Sequence, residues 1–582
     1  MGVAFVKGLQ GEPEQSVKGI APGKLAAMGK HFVAYSKPEA GINIAPALVG
    51  ERELREDHLY PFEGAVKEAN IYSIMPGYHE IDGVPIHASQ WLLKDILRGE
   101  WGFNGYIFSD YGAIGMMNYL HHTADSPKET GFQAITAGVD VEAPDAYGYK
   151  HLVELVKEGR LSESVIDESV RRVLTIKFKM GLFDRPFKVK KGDQQKVHTP
   201  ESVDLARRIA EESIVLLQNN NDILPLNKSK LKSLAVIGPN ADKVQFGDYS
   251  PTKNNDYGVT VLQGLKEYLN GEVKVNYALG CGITSLFTDS IALAVEAAKN
   301  SDVVVLVLGG TSQTLSGIGW GDPNSKELAT CGEGYDRHEL NFPGVQSQLL
   351  EAIAATGKPI VLVMINGRPL TIGDEVAKVD AVVEAWYPGE KGGEAVARVL
   401  FGEVNPSGRL SMTFPPTTGH IPLYASQKPS ARGYYRKPGT PEKPGRDYVF
   451  ATPNPLYCFG YGLSYTTFEY KNINIDNTLS KGGAILNVSC EVSNTGNYDG
   501  AEVVQLYVRD MVSSVTTPMK VLKAFKKVCL KRGETQKVTL QVAKEDLMLW
   551  NQQMKRVLEP GDFEIYIGSS VEDIRLKGRF TL

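Results

Sequence analysis

No apolar run in this chain approaches the ~20 consecutive residues that a membrane helix requires. The longest, such as Asp302-Val303-Val304-Val305-Leu306-Val307-Leu308-Gly309, have the length of core strands. A dense Lys/Arg patch is missing too: 63 basic residues stand against 68 acidic ones, for a net charge of −5. Neither nucleic acid nor an anionic membrane is therefore an expected partner. Cysteine is scarce and scattered, with Cys281, Cys331, Cys458, Cys490 and Cys529 forming no C-x-x-C pair. That signals neither a zinc site nor a disulfide framework and leaves the redox compartment open. The opening residues, Met1 to Gly11, hold a single early lysine, no sustained apolar segment and no small-residue cleavage pattern. They do not read as a signal peptide.

What is present is ordinary globular composition, 42% hydrophobic and 23% charged. The 582 residues have room for roughly three or four domains of ~150 residues each. From the start to about residue 188, strand-like runs at 28–35, 71–75, 106–110 and 139–143 alternate with helical patterns at 89–99 and 164–180. Such alternation predicts a parallel α/β arrangement, but only about four of the eight units of a closed barrel. A second α/β region follows over 189–415, with a helix expected at 200–219 and strands at 234–238, 273–278, 303–308, 360–365, 381–387 and 410–414. Their near-continuous apolar character predicts a doubly wound sheet buried on both faces. A Pro/Gly/Tyr-rich connector over 416–468 leads to short alternating strands in 469–582, read as a β-sandwich.

Several chemistry-bearing residues stand out. The run from Gly105 to Phe108 ends in Ser109-Asp110-Tyr111-Gly112, placing a carboxylate at a strand tip, where α/β folds do chemistry; Asp110 is a catalytic candidate or a helix cap. About 35 residues without periodicity separate the strand ending near Gly309 from the helix starting near Val345. Loops that long are usually functional or disordered, and this one carries Trp320, Cys331 and Gly332-Glu333-Gly334-Tyr335-Asp336-Arg337, a composition that favours an ordered site. Asp110 and Glu333 suit glycosidic bond cleavage by two carboxylates; the alternative for Glu333 is a solvated turn. Lys30-His31 offers two donors of different reach for vicinal hydroxyls, or else one surface lysine and one core histidine. His121-His122 lacks the spacing of a metal pair. No G-x-S-x-G elbow occurs, and Pro388-Gly389-Glu390-Lys391-Gly392-Gly393 lacks the ending of a phosphate loop.

Taken together, these stretches resemble family 3 glycoside hydrolases, specifically the three-domain β-glucosidase/β-xylosidase branch. The matching runs are Lys30-His31-Phe32, Ser73-Ile74-Met75-Pro76-Gly77-Tyr78, Asp82-Gly83-Val84-Pro85, the segment from Leu97 to Gly105 leading into Ser109-Asp110, and Ala137-Gly138-Val139-Asp140. Further on come Ile237-Gly238-Pro239-Asn240-Ala241, Glu333 to Arg337, Trp386-Tyr387-Pro388-Gly389 and Phe459 to Tyr465, so the resemblance spans essentially the whole chain.

The resemblance implies the C-terminal half of a (β/α)8 TIM-like barrel, an α/β sandwich and a fibronectin type III-like domain. It implies Asp110 as nucleophile and Glu333 as general acid/base of a retaining mechanism. Lys30, His31, Met75 and Tyr78 would line the pocket of the sugar being cleaved off, and Tyr111 would stand by the leaving group. No cofactor is implied, and the expected partner is a small oligosaccharide or β-glycoside. The family's first half-barrel, with an acidic residue and an arginine that clasp distal hydroxyls, has no counterpart here. Met1 thus reads as an internal methionine of a longer parent. A sister branch with Lys-His-Phe-Pro-Gly-His is disfavoured, because here Val33-Ala34-Tyr35 follows. The expectation is an exo-acting β-glucosidase, with β-xylosidase or mixed activity as the alternative, or else an inactive remnant with at most weak carbohydrate binding. Compartment and oligomeric state are not legible.

Overall fold

The computed structural model describes residues 1–184, 197–250, 257–312, 328–431, 440, 442–443, 447–478 and 485–582. Two compact units result, Met1–Gln194 and Gln195–Leu582. Trp320 and the expected boundary at 188/189 lie outside the described residues. No helix among the described residues is long and apolar enough to cross a membrane.

In the first unit, β1 (Met28–Phe32), β2 (Ser73–Pro76) and β3 (Tyr106–Ile107) form a parallel sheet in that order. Strand β2 is buried throughout, as parallel strands covered on both faces are. The helix Trp91–Glu100 crosses between β2 and β3, burying Leu92, Leu93, Ile96 and Leu97. It is wound as a π-helix, with Trp101 N–H bonded to Ile96 O. Leu92 and Leu97, five residues apart, therefore lie one π-turn apart on its buried face. Gly105 precedes β3 because a Cβ there would stand 2.2 Å from Tyr72 O.

The fourth expected strand, 139–143, is reduced to one parallel bridge between Phe108 and Val141. Asp140 explains the difference, since its carboxylate, instead of a backbone carbonyl, accepts the Ile107 N–H at 2.7 Å. The same carboxylate binds Arg98 at 2.7 Å and Arg172 at 2.9 Å, tying the strand to the helix Glu163–Lys179.

The second unit is built on a six-stranded sheet. Its strands are β4 (Val215–Asn219), β5 (Ser233–Ile237), β6 (Lys274–Ala278), β7 (Val303–Gly309), β8 (Ile360–Ile365) and β9 (Ala381–Glu384). The order is β4-β9-β8-β7-β5-β6, all parallel except β4. Strands β7 and β8 are wholly buried, with an apolar cluster on each face of the sheet.

Two expectations fail here. The helix expected over 200–219 stops at Ser213, and Val215-Leu216-Leu217 continues as the antiparallel edge strand, since an apolar run buried in a sheet follows the helix directly. The run 410–414 does not join the sheet; Leu410 and Phe414 instead exchange backbone bonds with Leu456, Tyr457, Gly460 and Tyr461 of the connector.

The C-terminal part is a two-sheet sandwich of β10 (Phe468–Asn477), β11 (Ile485–Asn494), β12 (Gly500–Asp510), β13 (Val521–Leu530), β14 (Thr535–Ala543), β15 (Asp562–Gly568) and β16 (Ile574–Thr581). One sheet runs β10-β11-β14 and the other β13-β12-β15-β16. Alternate residues Leu486, Val488, Cys490 and Val492 fill the space between them. The buried pair Arg409–Glu502, at 2.8 Å, docks the sandwich on the α/β part, with Tyr470 donating to the same carboxylate.

Candidate active site

Asp110 lies three residues beyond β3, 6% exposed. The strand tip is stitched down around it: Ser109 N–H donates to Val141 O, Ala143 N–H to Ser109 Oγ, and Gly112 N–H to Ala143 O. Asp110 does not cap the next helix, Ala113–Tyr119, whose N-cap is Gly112. Its Oδ1 instead accepts from Tyr78 Oη and from the Tyr111 N–H, both at 2.8 Å. Nε2 of His31 stands 3.1 Å from Oδ2, near enough to hold its charge yet outside good hydrogen-bond alignment. Burial pushes the Asp110 pKa up, but His31, Tyr78 and the Tyr111 N–H outweigh it and hold the carboxyl below its ordinary range. The result is an ionised carboxylate in a largely dry place.

Of the residues expected around it, His31 and Tyr78 touch Asp110 directly. Lys30 is exposed and faces Met75, buried on β2, in the parallel register. Tyr111 is exposed beside the carboxylate.

Histidines that sequence reasoning passed over complete the surroundings. His87 is 2% exposed and its Nε2 accepts the Asp110 N–H at 3.2 Å. His79 Nε2 bonds Val33 O at 2.9 Å, and its neighbour Tyr35 packs its ring on those of His31, Tyr78 and His79. Burial pushes His87 down to about 3 and His79 to about 4, so both are neutral at ordinary pH. The only sequence signal for His87 was its place two residues after the matched Asp82 to Pro85 run. Among the described residues no group of three or more His, Cys, Asp or Glu has the arrangement of a metal site.

Glu333 belongs to the second unit. Strand β5 has β6 on one side and β7 on the other, so the sheet reverses direction between β5 and β7. Ligand crevices of doubly wound folds form at the strand ends of such a switch point. The long loop with Glu333 leaves from the end of β7, and its two limbs are pinned by reciprocal bonds between Thr311 and Thr330. Glu333 is exposed, with its N–H on Asp248 Oδ2 at 3.0 Å and its carboxylate bonded to Tyr249 Oη. Arg368 donates to Tyr335 O at 3.1 Å and Arg337 to Asn341 O at 2.7 Å, which shapes the loop further.

Comparison with known proteins agrees with this architecture. The glycosyl hydrolase family 3 N terminal domain matches residues 1–176, the glycosyl hydrolase family 3 C-terminal domain residues 214–465, and a fibronectin type III-like domain residues 502–571. A β-xylosidase of Formosa agariphila is 42% identical over 598 residues, covering 99% of this chain and 78% of that protein. A periplasmic β-glucosidase of Salmonella typhimurium is 36% identical over 617 residues, covering 100% and 76%. Among solved structures, a β-glucosidase of Erythrobacter marinus aligns with a TM-score of 0.90 at 37% identity, covering 100% of this chain and 76% of that one. With both family domains matched in order and relatives matched over most of their length, the chain belongs to glycosyl hydrolase family 3.

Proposed function

We propose that the chain is a retaining, exo-acting β-glucosidase with Asp110 as nucleophile and Glu333 as general acid/base. The observation that carries this is the state of Asp110: an ionised carboxylate at the strand tip, its Oδ1 held by Tyr78 and the Tyr111 N–H and its Oδ2 facing His31. In the first step Oδ2 bonds to the anomeric carbon while the glycosidic C–O bond breaks and the leaving oxygen takes a proton from Glu333. In the second, Glu333 takes a proton from water, whose oxygen attacks the same carbon and releases Asp110. Tyr78 and the Tyr111 N–H favour that release because they stabilise the departing carboxylate. Lys30, His31, Met75 and Tyr78 line the pocket for the terminal sugar, and Tyr111 stands by the leaving group.

The substrate class draws on relatives: a β-glucosidase of Listeria innocua, 34% identical, was solved with glucose and, as a mutant, with laminaribiose. β-Xylosidase or mixed activity is the second reading, favoured by the 42% identity to the Formosa enzyme. The test is turnover of nitrophenyl β-glucoside and β-xyloside by the chain and by Asp110→Asn, with 2-fluoroglycoside trapping read by mass spectrometry. Label on the Asp110 peptide and loss of turnover in the variant are expected. Label elsewhere removes Asp110 as nucleophile, and absence of turnover on both sugars favours a carbohydrate-binding remnant.

A further inference from the structure

We infer that Tyr119 forms a second stacking platform beyond Tyr111, so that the preferred substrate is a β-linked oligosaccharide whose leaving group is itself at least two sugars long. This rests on the proposed roles of Asp110 and Tyr111.

Tyr119 is the last residue of the helix that follows Asp110, and it is 60% exposed. Helical side chains lean toward the helix N-terminus, and Tyr119 does so far enough that its Oη reaches Gly112 O at 3.4 Å. The path is clear because residue 115 is glycine: a Cβ there would stand 3.0 Å from Tyr119 Cε1 and 3.3 Å from Tyr147 Cδ1. The ring thus folds back along the helix toward Gly112, the residue next to Tyr111, which is itself 63% exposed.

The chain around the ring is ordered. Tyr147 donates to Asn118 Oδ1 at 3.1 Å, and Asn118 donates in turn to Ala124 O at 2.9 Å. The segment carrying Tyr147 is fixed by the Glu142 carboxylate, which accepts the N–H groups of Gly148 and Tyr149. A platform held this way loses little freedom on binding. An exposed aromatic face with its own hydroxyl at one edge fits a pyranose, which has an apolar C–H face and a rim of hydroxyls.

The experiment compares kcat/KM of the full chain on β-linked glucose di-, tri- and tetrasaccharides with that on nitrophenyl β-glucoside. The trisaccharide is expected to exceed the disaccharide, and Tyr119→Ala to lower the tri-to-disaccharide ratio about tenfold, in line with one lost stacking contact. Tyr119→Phe should keep the ratio, and Gly115→Val, which displaces the ring, should lower it. No gain from di- to trisaccharide, or an equal loss on all substrates in Tyr119→Ala, would overturn the inference. Failure of the proposed function shows separately, as no turnover of nitrophenyl β-glucoside by the unsubstituted chain. In that case equilibrium binding of the trisaccharide to the chain and to Tyr119→Ala decides, equal affinity counting against the platform.

Discussion

The backbone N–H of Asp110 donates to Nε2 of His87 at 3.2 Å. An imidazole nitrogen accepts a hydrogen bond only without its proton, so this contact requires neutral His87. Burial keeps it neutral, pushing its pKa to about 3 against the pull of the Asp110 charge. The unfolded chain binds a proton near pH 6.5 that the folded chain refuses until about 3, so this contribution is complete above 6.5 and is lost as pH falls. His79, pushed down to about 4, acts in the same direction. The urea-midpoint advantage of the parent over His87→Gln, which isolates this group from other titrating residues, should hold steady above pH 7 and narrow between about 6.5 and 4. A difference that does not change with pH would contradict this.

Tyr78 should set the acid limb of the reaction. Its hydroxyl is one of two donors on Oδ1 of Asp110, and these contacts with His31 overcome burial to keep that carboxyl low. Tyr78→Phe removes the donor, so the acid limb of kcat/KM should move to higher pH. A hydrogen bond to a charged group contributes ~1.5–3 kcal/mol, which corresponds to a roughly 10- to 100-fold fall in kcat/KM. An unmoved acid limb would assign it to some group other than Asp110.

Legibility differed residue by residue, for physical reasons. Asp110 stood out because an apolar run ends abruptly in a carboxylate, a local pattern. His31 and Tyr78 became site residues only through family resemblance, since a dipeptide and a lone tyrosine have many ordinary uses. His87, 23 positions before Asp110, meets it through a chain reversal that leaves no spacing signature. Edge strand β4 was hidden because the helix Pro200–Ser213 runs straight into apolar residues and periodicity does not mark the change. The run 410–414 has strand composition but finds its partners in the connector, a choice made by tertiary packing.

Asp140 should be the residue on which the stability of the first unit depends most. Its side chain is fully buried between Arg98 and Arg172 while accepting the Ile107 N–H. Burial lowers Arg98 to about 10 even with Asp140 beside it, so the cation is poorly solvated without that partner. Removing one member of a buried pair typically costs about 3–5 kcal/mol. Asp140→Ala should lower the urea midpoint accordingly and reduce kcat, because β3 carries the chain to Asp110. Arg172→Ala, at the more exposed partner, should be milder; equal losses would locate the effect outside the buried contact.

Glu384 gives the opposite pH dependence. It ends β9 with no exposure, its Oε1 accepting the Trp386 N–H at 2.8 Å and its Oε2 facing Asn366 Nδ2 at 3.3 Å. Neither partner carries a charge, and burial pushes the carboxyl up to about 8. The folded chain therefore keeps a proton that the unfolded chain releases near pH 4.5, so stability is full below that value and declines as pH rises through about 8. Glu384→Gln keeps the shape and cannot ionise, so it should remove the decline. By pH 9 the variant should exceed the parent by on the order of 2–4 kcal/mol, read from urea midpoints at pH 5 and pH 9. A variant less stable than the parent at pH 9 would mean that the ionised carboxylate is the form this strand end needs.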